Sequence, residues 1–123
     1  MVEYTESSRT TLRLNAAFGA MADPTRRAIL ARLARGDARV TEVAGAFAVS
    51  LNAVSKHIKT LERADLVTRT VQGRDHVLSL NATPMAEAVE WMEHYRGFWE
   101  DRLAALESYI KAKRGNAKKG SPE

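Results

Sequence analysis

At Leu66 the spacing of apolar residues changes from helical to alternating, and this switch limits the fold more than any other feature of the chain. Before it, apolar side chains recur at steps of three and four. After it, the runs VTRTV (67–71) and HVLSL (76–80) alternate on either side of Gln72-Gly73-Arg74-Asp75. A glycine in a short polar gap between two alternating runs predicts a β-hairpin with a basic tip. Two strands alone are marginal in water, so the hairpin must lean on the helices before it. The predicted fold class is mainly α with a small β-hairpin, about five helices plus two strands.

The helices carry their own punctuation. Thr11 to Met21 places Leu12, Leu14, Ala17, Phe18 and Met21 at mostly helical spacing, a first amphipathic helix. Asp23 can cap the next helix by accepting from free amides of its first turn, and Pro24 loses no hydrogen bond at the first helical position. Ile29, Leu30 and Leu33 share one face of that helix, and Gly36 ends it. A short third helix is predicted from Thr41, as cap, to about Phe47, with Val43, Ala44 and Phe47 inward. A tight turn then leads to Ser50, the cap of a fourth helix whose apolar residues Leu51, Val54, Ile58 and Leu61 form its inner stripe.

The outer face of this fourth helix is unusual. Asn52, Ala53, Ser55, Lys56 and Lys59 are small, polar or cationic, and no acidic residue appears before Glu62. A generic surface helix mixes signs so that Glu and Lys pair along it. Two helices joined by a tight turn, the second with such a face, are the arrangement that lets one helix brace another in the DNA major groove. Asparagine can pair with adenine, lysine with guanine or phosphate, and a serine at a helix start with phosphate. Arg69 on the first strand and Arg74 at the hairpin tip would set cations beside the groove, as a wing does. The predicted architecture is therefore a winged helix-turn-helix, with DNA contacts at Ser50, Asn52, Ala53, Ser55, Lys56, His57, Lys59, Arg69 and Arg74. Charge supports this division, since residues 26–74 hold ten basic against four acidic groups, a net of +6, whereas residues 75–110 hold two against seven, a net of −5.

From Thr83-Pro84 to about Ile110 runs the longest periodic segment, a helix of about 40 Å. One apolar row contains Met85, Val89, Met92, Tyr95, Trp99, Leu103, Leu106 and Ile110, and Trp91 and Phe98 widen it. That surface is broader than one small domain covers from one side, which predicts a homodimer. The aromatic cluster could instead line a ligand pocket, a use less expected than a buried interface. At 123 residues the chain has room for one domain, assigned to residues 1–110, followed by a lysine-rich tail at 111–123 expected to be disordered. Without cysteine there is no disulfide, thiol switch or Cys-ligated zinc. With no export signal and no apolar run of membrane-spanning length, the expected location is the cytoplasm, associated with the nucleoid and not with a membrane.

Three stretches, ADPTRRAILARLARG, VTEVAGAFAVSLNAVSKHIKTLERADLV and QGRDHVLSLN, resemble in order and spacing the corresponding segments of the ArsR family of winged-helix repressors. The resemblance runs from about Phe18 to Asn81 and more loosely through the long helix. It implies a transcription repressor that binds a palindromic, double-stranded DNA operator as a homodimer. Recognition helices would lie in consecutive major grooves with the wings outside. The first and last helices would form the interface, here Leu14 and Phe18 with Trp91, Met92, Tyr95, Phe98, Trp99, Leu103 and Leu106. The chain departs from the family pattern at Asp65, where glycine is frequent after the recognition helix. Aspartate tolerates the left-handed backbone region better than most residues, so the turn should survive.

Many members of that family release DNA on binding a metal ion. Here Glu42-Val43-Ala44-Gly45 occupies the place of the cysteine motif, and the chain has His57, His76 and His94 only, the last four residues after Glu90. The chain thus resembles the branch without the metal signature, and no cofactor is expected. A metal-responsive repressor and a winged-helix protein-interaction module are the alternatives. The second would place acidic or large apolar groups on the recognition helix. No phosphate-cradling glycine loop, nucleophile motif or HExxH is present, so an enzyme is not expected.

Overall fold

The computed structural model describes residues 6–119, with side chains described for residues 8–115. The chain divides into one compact unit ending at Ala88 and a second beginning at Val89. In order, the elements are α1 (Glu6–Met21), α2 (Pro24–Ala34), β1 (Ala38–Arg39), α3 (Val40–Gly45), α4 (Leu51–Arg63), β2 (Val67–Gln72), β3 (Asp75–Leu80) and α5 (Thr83–Lys119). The winged helix-turn-helix predicted from the sequence is the fold of the first unit, four helices and the start of the fifth with a three-stranded antiparallel sheet.

Capping sets the two helix starts that matter most. The Asp23 carboxylate accepts from Arg26 N at 2.9 Å with Pro24 opening α2, and the Ser50 hydroxyl accepts from Ala53 N at 3.1 Å at the start of α4. The exit from α4 is equally defined. Asp65 N donates to the Glu62 carbonyl and Leu66 N to the Leu61 carbonyl, both at 3.0 Å, the paired bonds of a Schellman turn. That turn needs a left-handed residue after the cap, and Asp65 supplies it with φ of 59°. The Asn81 side chain holds the turn from outside by donating to the Asp65 carbonyl at 2.7 Å.

The inner stripes of three helices and the sheet meet in one core. Ile29, Leu30 and Leu33 of α2, Val43 of α3, and Val54, Ile58 and Leu61 of α4 pack with Leu66, Val67 and Leu78. Because Val54, Ile58 and Leu61 are fully buried, the opposite side of α4 is left to face solvent. At the hairpin, Val67 pairs with Leu80 and Gln72 with Asp75, leaving Gly73 and Arg74 as a two-residue turn. Gly73 has φ of 64°, as the first central residue of a II′ turn requires.

The structure departs from the sequence reading at several points. The sheet has three strands in the order β1-β3-β2, because Ala38 and Arg39 pair with Leu78 and Val77 along the free edge of the hairpin. Two residues cannot display an alternating pattern, so no periodicity marks this strand. α3 starts one residue before Thr41 and ends at Gly45, with Arg39 as its cap and Arg39 N donating to the Glu42 carboxylate at 3.2 Å. Leu51, predicted inward, is 56% exposed, since the first residue of a helix has no preceding turn to cover it. Leu12 is exposed as well, and the buried face of α1 is Leu14, Ala17 and Ala20. α1 begins at Glu6 and not Thr11, and α5 continues past Ile110 to Lys119 through residues such as Ala112, Lys113 and Arg114 that favour helix. The end of the predicted tail, residues 120–123, lies outside the described residues.

Candidate nucleic-acid interface

α4 presents three kinds of position around its circumference. Val54, Ile58 and Leu61 are fully buried, Ala53, Ser55 and His57 are half-buried, and Asn52, Lys56 and Lys59 are exposed. Among the described residues no carboxylate pairs with Lys56, Lys59 or Arg74. The three cations are therefore available to an external anion. The Ser50 hydroxyl already accepts the cap bond, but its hydrogen remains free to donate.

Between the start of α4 and the sheet lies an open groove of about 250 Å³, lined among others by Thr41, Leu51, Ser55, Arg69, Arg74 and His76. Arg74 reaches this groove from the exposed hairpin turn. Sequence reasoning misses Thr41, Leu51 and His76 here. In the sequence Thr41 reads as a cap and Leu51 as core, and only the approach of the sheet to α4 brings them to one wall.

Two residues assigned to DNA are engaged within the chain. Arg69 donates from Nη2 and Nε to the two Glu62 carboxylate oxygens at 2.8 and 3.3 Å, a fork that ties β2 to the last turn of α4. Its Nη1 also donates to His76 Nδ1 on β3 at 3.2 Å. His57 points back toward the start of α2, where Arg26 Nη1 donates to its Nδ1 at 3.3 Å. Asp23 Oδ2 lies 3.8 Å from the same nitrogen, beyond hydrogen-bond range, so Arg26 is the partner that counts. The Asp23 carboxyl is held below its usual pKa chiefly by the bond from Arg26 N, against the opposing effect of burial, with the nearby Arg26 charge adding to the shift.

The residues assigned to a dimer interface fall into two groups. Leu14 is 9% exposed, a core residue of its own chain, and Phe18 is half-buried. On α5 all seven remaining candidates are exposed: Trp91, Met92, Tyr95, Phe98, Trp99, Leu103 and Leu106. Trp99 and Leu103 are 60% and 64% exposed, and Val89, Tyr109 and Ile110 extend the apolar surface at both ends. His94 lies edge-on to Tyr95 with ring centroids 5.0 Å apart. No helix among the described residues is long and apolar enough to cross a membrane.

Comparison with known proteins agrees with this geometry. A helix-turn-helix domain family model matches residues 21–70, from the end of α1 to the middle of β2. The transcriptional repressor SdpR of Bacillus subtilis is 33% identical over 82 residues, which cover 67% of this chain and 91% of that protein. An HTH-type transcriptional regulator of Mycobacterium tuberculosis, Rv2034, is 46% identical over 70 residues, 57% of this chain and 65% of that protein. A crystal structure of an ArsR family transcriptional regulator superimposes with a TM-score of 0.69 at 36% identity, covering 81% of this chain and 97% of the other. An ArsR-like regulator from Rhodococcus gives a TM-score of 0.68 at 29% identity, covering 81% and 94% of the two chains. With the fold, the order of its motifs and relatives of this closeness in agreement, the chain belongs to the ArsR family of winged helix-turn-helix, DNA-binding transcription regulators.

Proposed function

We propose that this regulator is a repressor that binds a palindromic operator as a homodimer, with α4 in the major groove and the hairpin as a wing on the flanking backbone. The observation that carries the reading is the exposed face of α4, where Asn52, Lys56 and Lys59 face solvent near the Arg74 turn and neither lysine pairs with a carboxylate among the described residues. Lys56, Lys59 and Arg74 neutralise phosphate or reach guanine, and Asn52 and Ser55 contribute to sequence choice. Ser50 donates to phosphate at the helix start. Leu51 adds an exposed apolar group at the groove, suited to a thymine methyl. Arg69, paired with Glu62, braces the wing and does not spend its charge on DNA. Repression is supported by the relative that carries that description in its name.

The dimer reading rests on α5, whose aromatic and aliphatic row is exposed along nearly its full length, a surface that a twofold partner would cover. Residues 1–110 would then serve both DNA binding and dimerisation, with the lysine-rich segment beyond them outside that core task. Selection of duplexes from a randomised pool, followed by footprinting, tests the whole reading. The expected product is an inverted repeat with half-sites about one helical turn apart. An asymmetric single site protected by a monomer would overturn the dimer model, and failure to enrich any duplex would overturn the DNA-reading role of α4.

A further inference from the structure

Arg26, in the first turn of α2, bridges three helices. Its Nε donates to the Ala20 carbonyl at 2.6 Å and its Nη2 to the Gly19 carbonyl at 3.1 Å, both in the last turn of α1, where Gly19 O also accepts from Ala22 N at 3.3 Å. Its Nη1 donates to His57 Nδ1 on α4. Arginine has no acceptor, so His57 must accept at Nδ1 and carry its ring proton on Nε2. Around α4, His57 shares a row with the buried Val54 and Leu61, whereas Asn52, Lys56 and Lys59 form the exposed row. The ring therefore belongs to the support of the helix and not to its reading face. Apolar packing at Val54, Ile58 and Leu61 holds α4 against the core but is non-directional, and the fork from Arg69 ties only the last turn of the helix, at Glu62. A bond from a guanidinium whose plane is already fixed by two α1 carbonyls adds direction at the middle of the helix, beside the exposed row.

We propose that His57 is a positioning residue for DNA binding: through its Nδ1 bond to Arg26 it fixes the roll of α4 against the α1–α2 corner and so aims Asn52, Lys56 and Lys59. The inference rests on the reading of α4 as the DNA-reading helix.

The two amide replacements of histidine separate this role from direct binding of DNA, because the Asn oxygen stands near the place of Nδ1 and the Gln amide near the place of Nε2. The full chain is titrated against a duplex selected by the wild-type protein from a randomised pool, at a temperature where circular dichroism shows every variant folded. His57→Asn should bind within about threefold of wild type, and His57→Gln should bind about tenfold or more weakly, as loss of a bond to a charged group implies. Neither should change the slope of log affinity against log salt, since every phosphate keeps its cation. Arg26→Lys, which cannot serve three acceptors from one plane, should resemble His57→Gln. Tight binding by His57→Gln with loss in His57→Asn would mean that Nε2 touches DNA, and the inference falls. Equal effects of the two replacements overturn it too, as does a salt slope lowered by about one. If Lys56→Ala with Lys59→Ala leaves affinity and slope intact, the DNA-reading role of α4 fails and the inference with it. Weakened binding by that variant beside equal Asn and Gln effects overturns the inference alone.

Discussion

At the residue scale, Lys56 and Lys59 on α4 pair with no carboxylate among the described residues. Arg96 illustrates the contrast, with Glu93 and Glu100 both at 3.2 Å raising its pKa and occupying its charge. Replacing Lys56 and Lys59 with alanine should lower the salt slope of log affinity by about 0.9 for each phosphate that is no longer neutralised, with little change in melting temperature for two exposed side chains. Measurement at several salt concentrations gives the slope directly, and an unchanged slope would remove both residues from the interface. Asp23 makes a different prediction. Its folded pKa lies below the usual value, so its contribution to stability is fully present above the unfolded pKa and is lost as the pH falls through the folded one. Asp23→Ala should therefore melt below wild type at neutral pH, and the gap should close on acidification below about pH 4.

At the element scale, the position of the wing relative to α4 depends on the fork between Arg69 and Glu62, both about a quarter exposed. A double-mutant cycle of Arg69→Ala and Glu62→Gln in thermal unfolding should show coupling of about 0.5 to 1 kcal/mol, the modest value proper to a pair partly open to water. Arg69→Ala should also weaken DNA binding without lowering the salt slope. A slope reduced by about 0.9 would show instead that Arg69 meets phosphate. The turn after α4 is a second point of control. With φ of 59° at Asp65, a β-branched replacement is strained, and Asp65→Val should destabilise the fold by about 1 to 2 kcal/mol in chemical denaturation. An unchanged midpoint would mean that the Schellman turn adjusts without cost.

At the scale of the whole molecule, the apolar face of α5 decides the assembly. Leu103→Asp with Leu106→Asp places charge in the middle of the row, at positions exposed within the chain. Sedimentation should find the wild type dimeric and this variant monomeric, with a circular dichroism spectrum that retains the helices of the first unit. A variant that remains dimeric at micromolar concentration would move the interface away from α5.

Much of the fold was legible in local chemistry. Asp23-Pro24, Ser50 and Gly73 each fix one backbone event through a bond or a dihedral set by near neighbours in sequence, so the residues alone announce them, whereas the left-handed turn at Asp65 was announced only by the family resemblance. The buried stripe of α4 was equally readable, because period fixes which residues share a face. Pairings between distant segments were not. β1 exists only because the edge of β3 is free beside Ala38, and Leu51 lines a groove only because the sheet approaches the first turn of α4. Sequence could name Arg69 and His57 as polar residues near the proposed DNA surface, but not that Glu62 and Arg26 would reach them first. Which charges stay free for a partner and which are spent inside the chain depends on distances between residues far apart in sequence, and those distances only the tertiary structure decided.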